Sequence, residues 1–210
     1  MARTGITLVA LTAIAATGAT EARAEVLVLY GDIHGGGMYG KGLSGDQKET
    51  AFFQNAPAGM YGARVAARFL FLGAAIQHHQ YTNGSQVSTW TQFSAGLDFQ
   101  VGLGTDKQKK ERKGTFFELG ANLGFGVGTG QQVMPPLSND EITDKAFLLE
   151  GRLGYGKHLN KLFDVGITVP VSWGYFFKNG VDASANDVST HYRGLQVEGL
   201  LFLRANIRLL

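Results

Sequence analysis

From Phe163 to Phe177 the chain places a large apolar side chain at every second position: Phe163, Val165, Ile167, Val169, Val171, Trp173, Tyr175 and Phe177. Between them stand Asp164, Gly166, Thr168, Pro170, Ser172 and Gly174. Successive side chains of a β-strand point to opposite faces, so a period of two means a strand with two chemically different sides. The end of the chain repeats the pattern. Leu195, Val197, Leu201, Leu203, Ala205, Ile207 and Leu209 share one face, and Gln196, Glu198, Arg204, Asn206 and Arg208 the other.

Six further segments alternate in the same way: Val26–Tyr39, Gly59–Arg68, Phe69–Tyr81, Ser88–Gly102, Thr115–Gly128 and Ala146–His158. Each is long enough for a tilted strand to cross a bilayer, which needs about 9–11 residues. No segment reads as a long amphipathic helix. Tight connections are expected near Arg68 and at Leu159-Asn160-Lys161, and longer polar loops at 40–57, 129–145 and 178–190, with a shorter one at 82–87. Long loops at one end and short turns at the other is the pattern of an outer-membrane barrel. The basic stretch 105–114 is an exception, being long for the short-turn end. Pro170 sits in mid-strand without an N–H to give, so a local bulge is expected there.

Alternation alone does not say which face is outside. The polar face is rich in small residues, among them Gly120, Gly124, Gly126, Gly154, Gly156, Gly166 and Gly174. An eight-stranded barrel is only just wide enough for side chains to fill it, and these positions suit that space. All ten Lys fall in loops, turns or strand ends, whereas a water-facing strand surface normally carries Lys. The expectation is therefore an all-β chain: an eight-stranded antiparallel transmembrane β-barrel in an up-and-down meander, apolar outside. Its interior would hold a polar network of Asp32, Arg64, Arg68, Asp98, Glu118, Glu150, Arg152, Asp164, Glu198, Arg204 and Arg208. Five Arg against six acids is nearly balanced, and buried charges persist when paired, so a closed plug is expected rather than a channel.

The N-terminus carries a different pattern. Arg3 is followed by an uncharged apolar stretch from Ile6 to Ala16 and by the small-x-small site Ala22-Arg23-Ala24. This is the layout of a cleavable secretory signal peptide over residues 1–24, with the barrel domain over 25–210. The sequence has no Cys, which excludes disulfides and thiolate metal sites, and its formal charge of +2 is too small to argue for nucleic acid.

The eight alternating segments, the leader, the long loops and the last strand Gly194–Leu210 resemble the small outer-membrane barrels of the OmpA and OmpX type, over most of residues 26–210. The resemblance implies insertion by the barrel-assembly machinery through the last strand. Many relatives end in an aromatic residue, whereas this chain ends Arg208-Leu209-Leu210. The resemblance also implies contact with outer-membrane lipids and lipopolysaccharide, and a structural or surface-interaction role through extracellular loops. No peptidoglycan-binding domain is expected after the barrel. A narrow porin-like pore is the alternative, and a lipid A-modifying hydrolase or acyltransferase a more distant one.

Motifs for chemistry are sparse. Gly35-Gly36-Gly37 lacks the Lys and Ser/Thr of a phosphate loop, and there is no Gly-x-Ser-x-Gly elbow or His-Glu-x-x-His zinc motif. His78 and His79 are adjacent and must face opposite ways on a strand. His34 follows Asp32 on the inward face, the geometry of an orienting pair. Ser189-Thr190-His191, with Asp187 nearby, is the one rim cluster with acyl-transfer residue types. Phe52 and Phe53 offer an apolar loop tip to an extracellular ligand, and Asp140, Glu141 and Asp144 an acidic one without EF-hand spacing. No catalytic residue, metal or cofactor is expected.

Overall fold

The computed structural model describes residues 27–44, 57–83, 86–103, 114–131, 141–181 and 187–209. The signal-peptide reading, the Phe52-Phe53 tip and nearly all of the basic 105–114 stretch lie outside them. Eight strands follow in order: β1 Leu27–Ser44, β2 Pro57–Phe69, β3 Leu72–Asn83, β4 Gln86–Leu103, β5 Gly114–Gln131, β6 Glu141–His158, β7 Phe163–Val181 and β8 Asp187–Arg208. Each pairs antiparallel with the next, and β1 pairs with β8, so the sheet closes on itself. Closure gives every strand two hydrogen-bonded neighbours and leaves no edge.

The register sets the tilt. Followed from Ile33 through Ala63, His78, Thr91, Val127, Lys145 and Phe177, the cross-strand row arrives on β8 at His191. Ile33 itself pairs with Leu203, twelve residues further along β8. That stagger is the shear of the barrel, and it makes the strands run steeply oblique to its axis.

Side chains obey the alternation. On β7, Ile167 and Trp173 are exposed while Asp164, Thr168 and Ser172 are buried. On β8, Leu201 and Ile207 point out while Glu198, Arg204 and Asn206 point in. The outward face is therefore a continuous apolar wall, and aromatic clusters bound it at both ends. Toward the short turns, Phe71 stacks on Phe99 and Phe117 packs on Tyr155. Toward the other end, Phe125, Phe147, Phe177 and Tyr175 form a chain of ring contacts. An apolar band between two aromatic girdles is the surface that a bilayer requires. The chain folds as a membrane β-barrel.

Four details depart from the sequence reading. The strands run further toward the loop end than the alternation suggested: β1 continues to Ser44, β6 starts at Glu141, β7 reaches Val181 and β8 starts at Asp187. There the described outward residues include Lys41, Lys145 and Arg193, so the hydropathy period fades while the backbone ladder continues. The β2–β3 connection is a two-residue turn, Leu70-Phe71, closed by the Phe69–Leu72 pair. Leu70 thus belongs to the turn and not to the apolar row of β3, and it has a left-handed φ of 55°, a conformation that disfavours a side chain. Pro170 causes no bulge: pairing with β8 skips from Thr168–Leu200 to Val171–Val197 in unchanged register. Its missing N–H leaves a gap in one ladder, while the β6 ladder passes through Arg152–Pro170 unbroken. A register shift lies instead between β1 and β8, at Gly42/Ser44.

A cation on the apolar wall should destabilise the barrel in lipid. Ile167→Arg and Leu203→Arg are each expected to lose about 2–4 kcal/mol near the midplane, read from denaturant unfolding in liposomes. Unchanged stability in both variants would mean that this face does not meet hydrocarbon.

Candidate functional site

The barrel interior is where the charged side chains converge. Asp32, Arg64, Arg68, Asp98, Glu118, Glu150, Arg152, Asp164, Glu198 and Arg204 are all buried and point inward. The Arg208 side chain lies outside the described residues, leaving four Arg against six carboxylates among those described.

Nearest the short turns, Arg204 on β8 reaches across to Glu118 on β5. Both guanidinium nitrogens donate to the carboxylate, Nη1 to Oε1 and Nη2 to Oε2, the latter at 3.1 Å. The Arg204 Nε stands 3.6 Å from Asp32 Oδ2. Its guanidinium also lies over the rings of Tyr30 and Phe202, at 4.5 and 4.6 Å from their centroids. Tyr30 in turn donates to Asp98 at 2.7 Å, and Arg68 donates to Gln100 at 2.9 Å while facing Asp98 at 3.9 Å. Close by, Asp164 pairs with His158 Nδ1 at 2.6 Å and accepts from Asn206 at 2.8 Å. The His158 ring stacks on Phe116.

Glu150 anchors the middle. Arg152 donates to it at 2.6 Å, Gln92 at 3.2 Å and Asn122 at 3.5 Å. Trp90 Nε1 donates to Gln92 at 3.2 Å, tying the ring into the same network. Higher up, Tyr81 donates to Glu198 at 3.5 Å, and Gln196 donates to both Tyr81 and Glu198. Asp32 holds His34 through Nδ1 at 2.9 Å. His79 lies nearly perpendicular to His34, with ring centroids 4.9 Å apart, and contacts Tyr81 OH through Nδ1 at 3.0 Å.

Toward the loop end the interior turns apolar. Met38, Met60, Trp90, Leu148, Phe176, Tyr192 and Leu200 form one buried cluster, in which Phe176 and Tyr192 stack almost parallel with centroids 4.7 Å apart. These inward aromatics were not read from the sequence, where the interior was expected to exclude large rings. The trace they leave is a glycine across the ladder or close by. A Cβ at Gly126 would overlap the Trp90 ring, one at Gly156 the Phe116 ring and one at Gly174 the Phe176 ring. The glycine-rich polar face is thus the mould for the aromatic fillers.

The remaining candidates stand outside the lumen. His78 faces outward and bonds Thr91 at 2.8 Å, on the opposite side from His79. His191 also faces out, stacked on Tyr175 and edge-on to Phe177. The Ser189 and Thr190 side chains lie outside the described residues, as do those of Asp187, Glu141 and Asp144.

No family model matches the chain, and no curated protein matches it. Among solved structures it is similar to the crystal structure of Neisserial surface protein A (NspA). The two share 12% identity over 85% of this chain and 96% of that one, with a TM-score of 0.44.

Removing one partner of the Arg204–Glu118 ion pair strands the other inside the barrel. Arg204→Met is expected to lower stability by about 3–5 kcal/mol, while Glu118→Met combined with Arg204→Met recovers a large part of that loss. Denaturant unfolding of the folded barrel in detergent checks this. A double variant as unstable as the sum of the singles would show that the two groups do not act as a pair.

Proposed function

We propose that this chain is an integral outer-membrane barrel, exported by its N-terminal leader, that acts at its surface and through its extracellular loops rather than by passing solute. The observation that carries this reading is the filled interior. Paired charges occupy the lower and middle lumen, and a stacked apolar cluster covers the end toward the loops. A path for solute would have to open both. With the wall committed to lipid and the lumen to its own contacts, the connectors 45–56, 84–85, 132–140 and 182–186 remain as the parts free to recognise a ligand. Lys41, Lys145 and Arg193 point outward and are exposed at the loop end of the wall. Lipopolysaccharide phosphates and anionic lipid headgroups are the partners that suit them.

Purified protein in planar bilayers is expected to give no steady conductance. A reproducible ohmic step, enlarged by Arg152→Ala, would replace this reading with the narrow pore. A lipid A profile altered by deletion of the gene would replace it with the lipid-modifying enzyme.

The topology follows from an even strand count. Both ends of the barrel chain lie with the Leu70-Phe71 and Leu159–Leu162 turns, and short turns on the periplasmic side support a periplasmic position for them. The basic stretch around Lys107, Lys109, Lys110, Arg112 and Lys113 then lies on that side too. An epitope tag at Lys110 is expected to stay unlabelled on intact cells and to become accessible when the outer membrane is permeabilised. Labelling of intact cells would invert the orientation.

A further inference from the structure

We propose that the lumen contains a built hydration site beside Gly62, in which one water molecule bridges Nε2 of His34, Nε2 of His79 and Nε of Arg64. All three side chains are more than nine-tenths buried, at 8%, 2% and 7% exposure. Each of the three atoms is buried without a hydrogen-bond partner in the protein. All three residues line the same interior cavity of about 20 Å³, which is room for about one water. A fourth lining atom without a hydrogen bond, Arg204 Nε, faces Asp32 Oδ2 at 3.6 Å. Orphaned polar atoms are rare in folded proteins, and the other three around one cavity call for a common partner.

The surroundings select the partner's chemistry. Asp32 is a carboxylate, so His34 Nδ1 at 2.9 Å must carry the proton of that contact. In the neutral ring this leaves Nε2 as a bare acceptor. Tyr81 OH stands 3.5 Å from Glu198 Oε1 and 3.0 Å from His79 Nδ1; with its proton on the Glu198 side, its oxygen accepts from His79 Nδ1, and His79 Nε2 is bare as well. Arg64 Nε–H can only donate. The site therefore presents two acceptors and one donor. A water molecule matches that set, giving both of its protons and accepting one. An anion would meet two lone pairs. A metal ion would meet the Arg64 guanidinium, and among the described residues no group of three His, Cys, Asp or Glu is placed to hold one.

Gly62 makes the space. A Cβ there would stand 2.9 Å from His34 Nε2 and 2.8 Å from His79 Cδ2. The bridging water joins two chains of polar contacts. One runs from Glu118 through Arg204 and, by an ion pair, Asp32 to His34, the other from His79 through Tyr81 to Glu198 and Gln196.

The test is ¹⁵N-histidine NMR on the folded wild-type barrel in detergent, with rings assigned from His34→Gln and His79→Gln. Both rings are expected in the Nδ1–H tautomer, with unprotonated, hydrogen-bonded Nε2 and cross-relaxation to a long-lived water. An Nε2–H tautomer in either ring, or absence of the water contact, overturns the site. So does a shift of both Nε2 resonances on adding Zn²⁺, which would assign the pair to a metal. Arg64→Met, if it folds by heat-modifiable migration, is expected to lose the long-lived water. Its persistence there would remove Arg64 from the site.

Discussion

The structure rests on a demand of the bilayer: no backbone N–H or C=O can be left unpaired in hydrocarbon. A sheet meets it only by closing, and here the β1–β8 ladder from Val28–Arg208 to Ser44–Arg193 supplies the closure. Closure fixes the rest. It sets eight strands at one shear, makes the outer wall uniform enough for lipid, and confines the other face of every strand to a narrow core. The same demand explains how Pro170 is tolerated. The lost N–H is one link in a ladder that is otherwise continuous on both sides.

The narrow core then has to be filled, and two materials share the work. Rings of Trp90 and Phe116 occupy volume that glycines on the neighbouring strands vacate, and the ring of Phe176 that of Gly174 on its own strand. Charged groups occupy the remainder: the carboxylates and Arg68, Arg152 and Arg204 have an opposite charge or a donor within reach, and Arg64 lies over the Tyr30 ring. Arg204 shows how closely the two are joined, since its guanidinium pairs with Glu118 while lying over Tyr30 and Phe202. The ring faces give the cation a partner on the sides that the carboxylates do not cover.

Most of this architecture was legible in the sequence, because period-two hydropathy reports directly on which face a residue takes. It placed Ile167 outside and Asp164 inside, and it put His78 and His79 on opposite faces. It failed where the hydropathy contrast fails. Toward the loop end Lys41 and Lys145 interrupt the outward apolar rows, so the ends of β1 and β6 were read as loop. The tight β2–β3 turn was expected near Arg68 and falls two residues later, at Leu70-Phe71, because a left-handed residue there would ordinarily be announced by Gly or Asn. The inward rings were missed because a polar face was taken to be polar throughout, although Trp90 sits in the row of Ser88, Gln92 and Ser94. Partner choice was beyond reach: the row contained Glu118 and Arg204, but nothing along the chain tells that residues on β5 and β8 meet across a diameter.

The seam between β1 and β8 joins the first strand of the chain to the last. Arg204 lies on that last strand and touches Asp32 on β1 and Glu118 on β5. Neither contact can exist until β8 has arrived and the cylinder is complete. Interactions formed that late contribute little to the rate of folding and much to the slowness of unfolding. The contacts of Arg204 are thus a clasp fastened at closure, and what they govern is the lifetime of the finished barrel in the membrane.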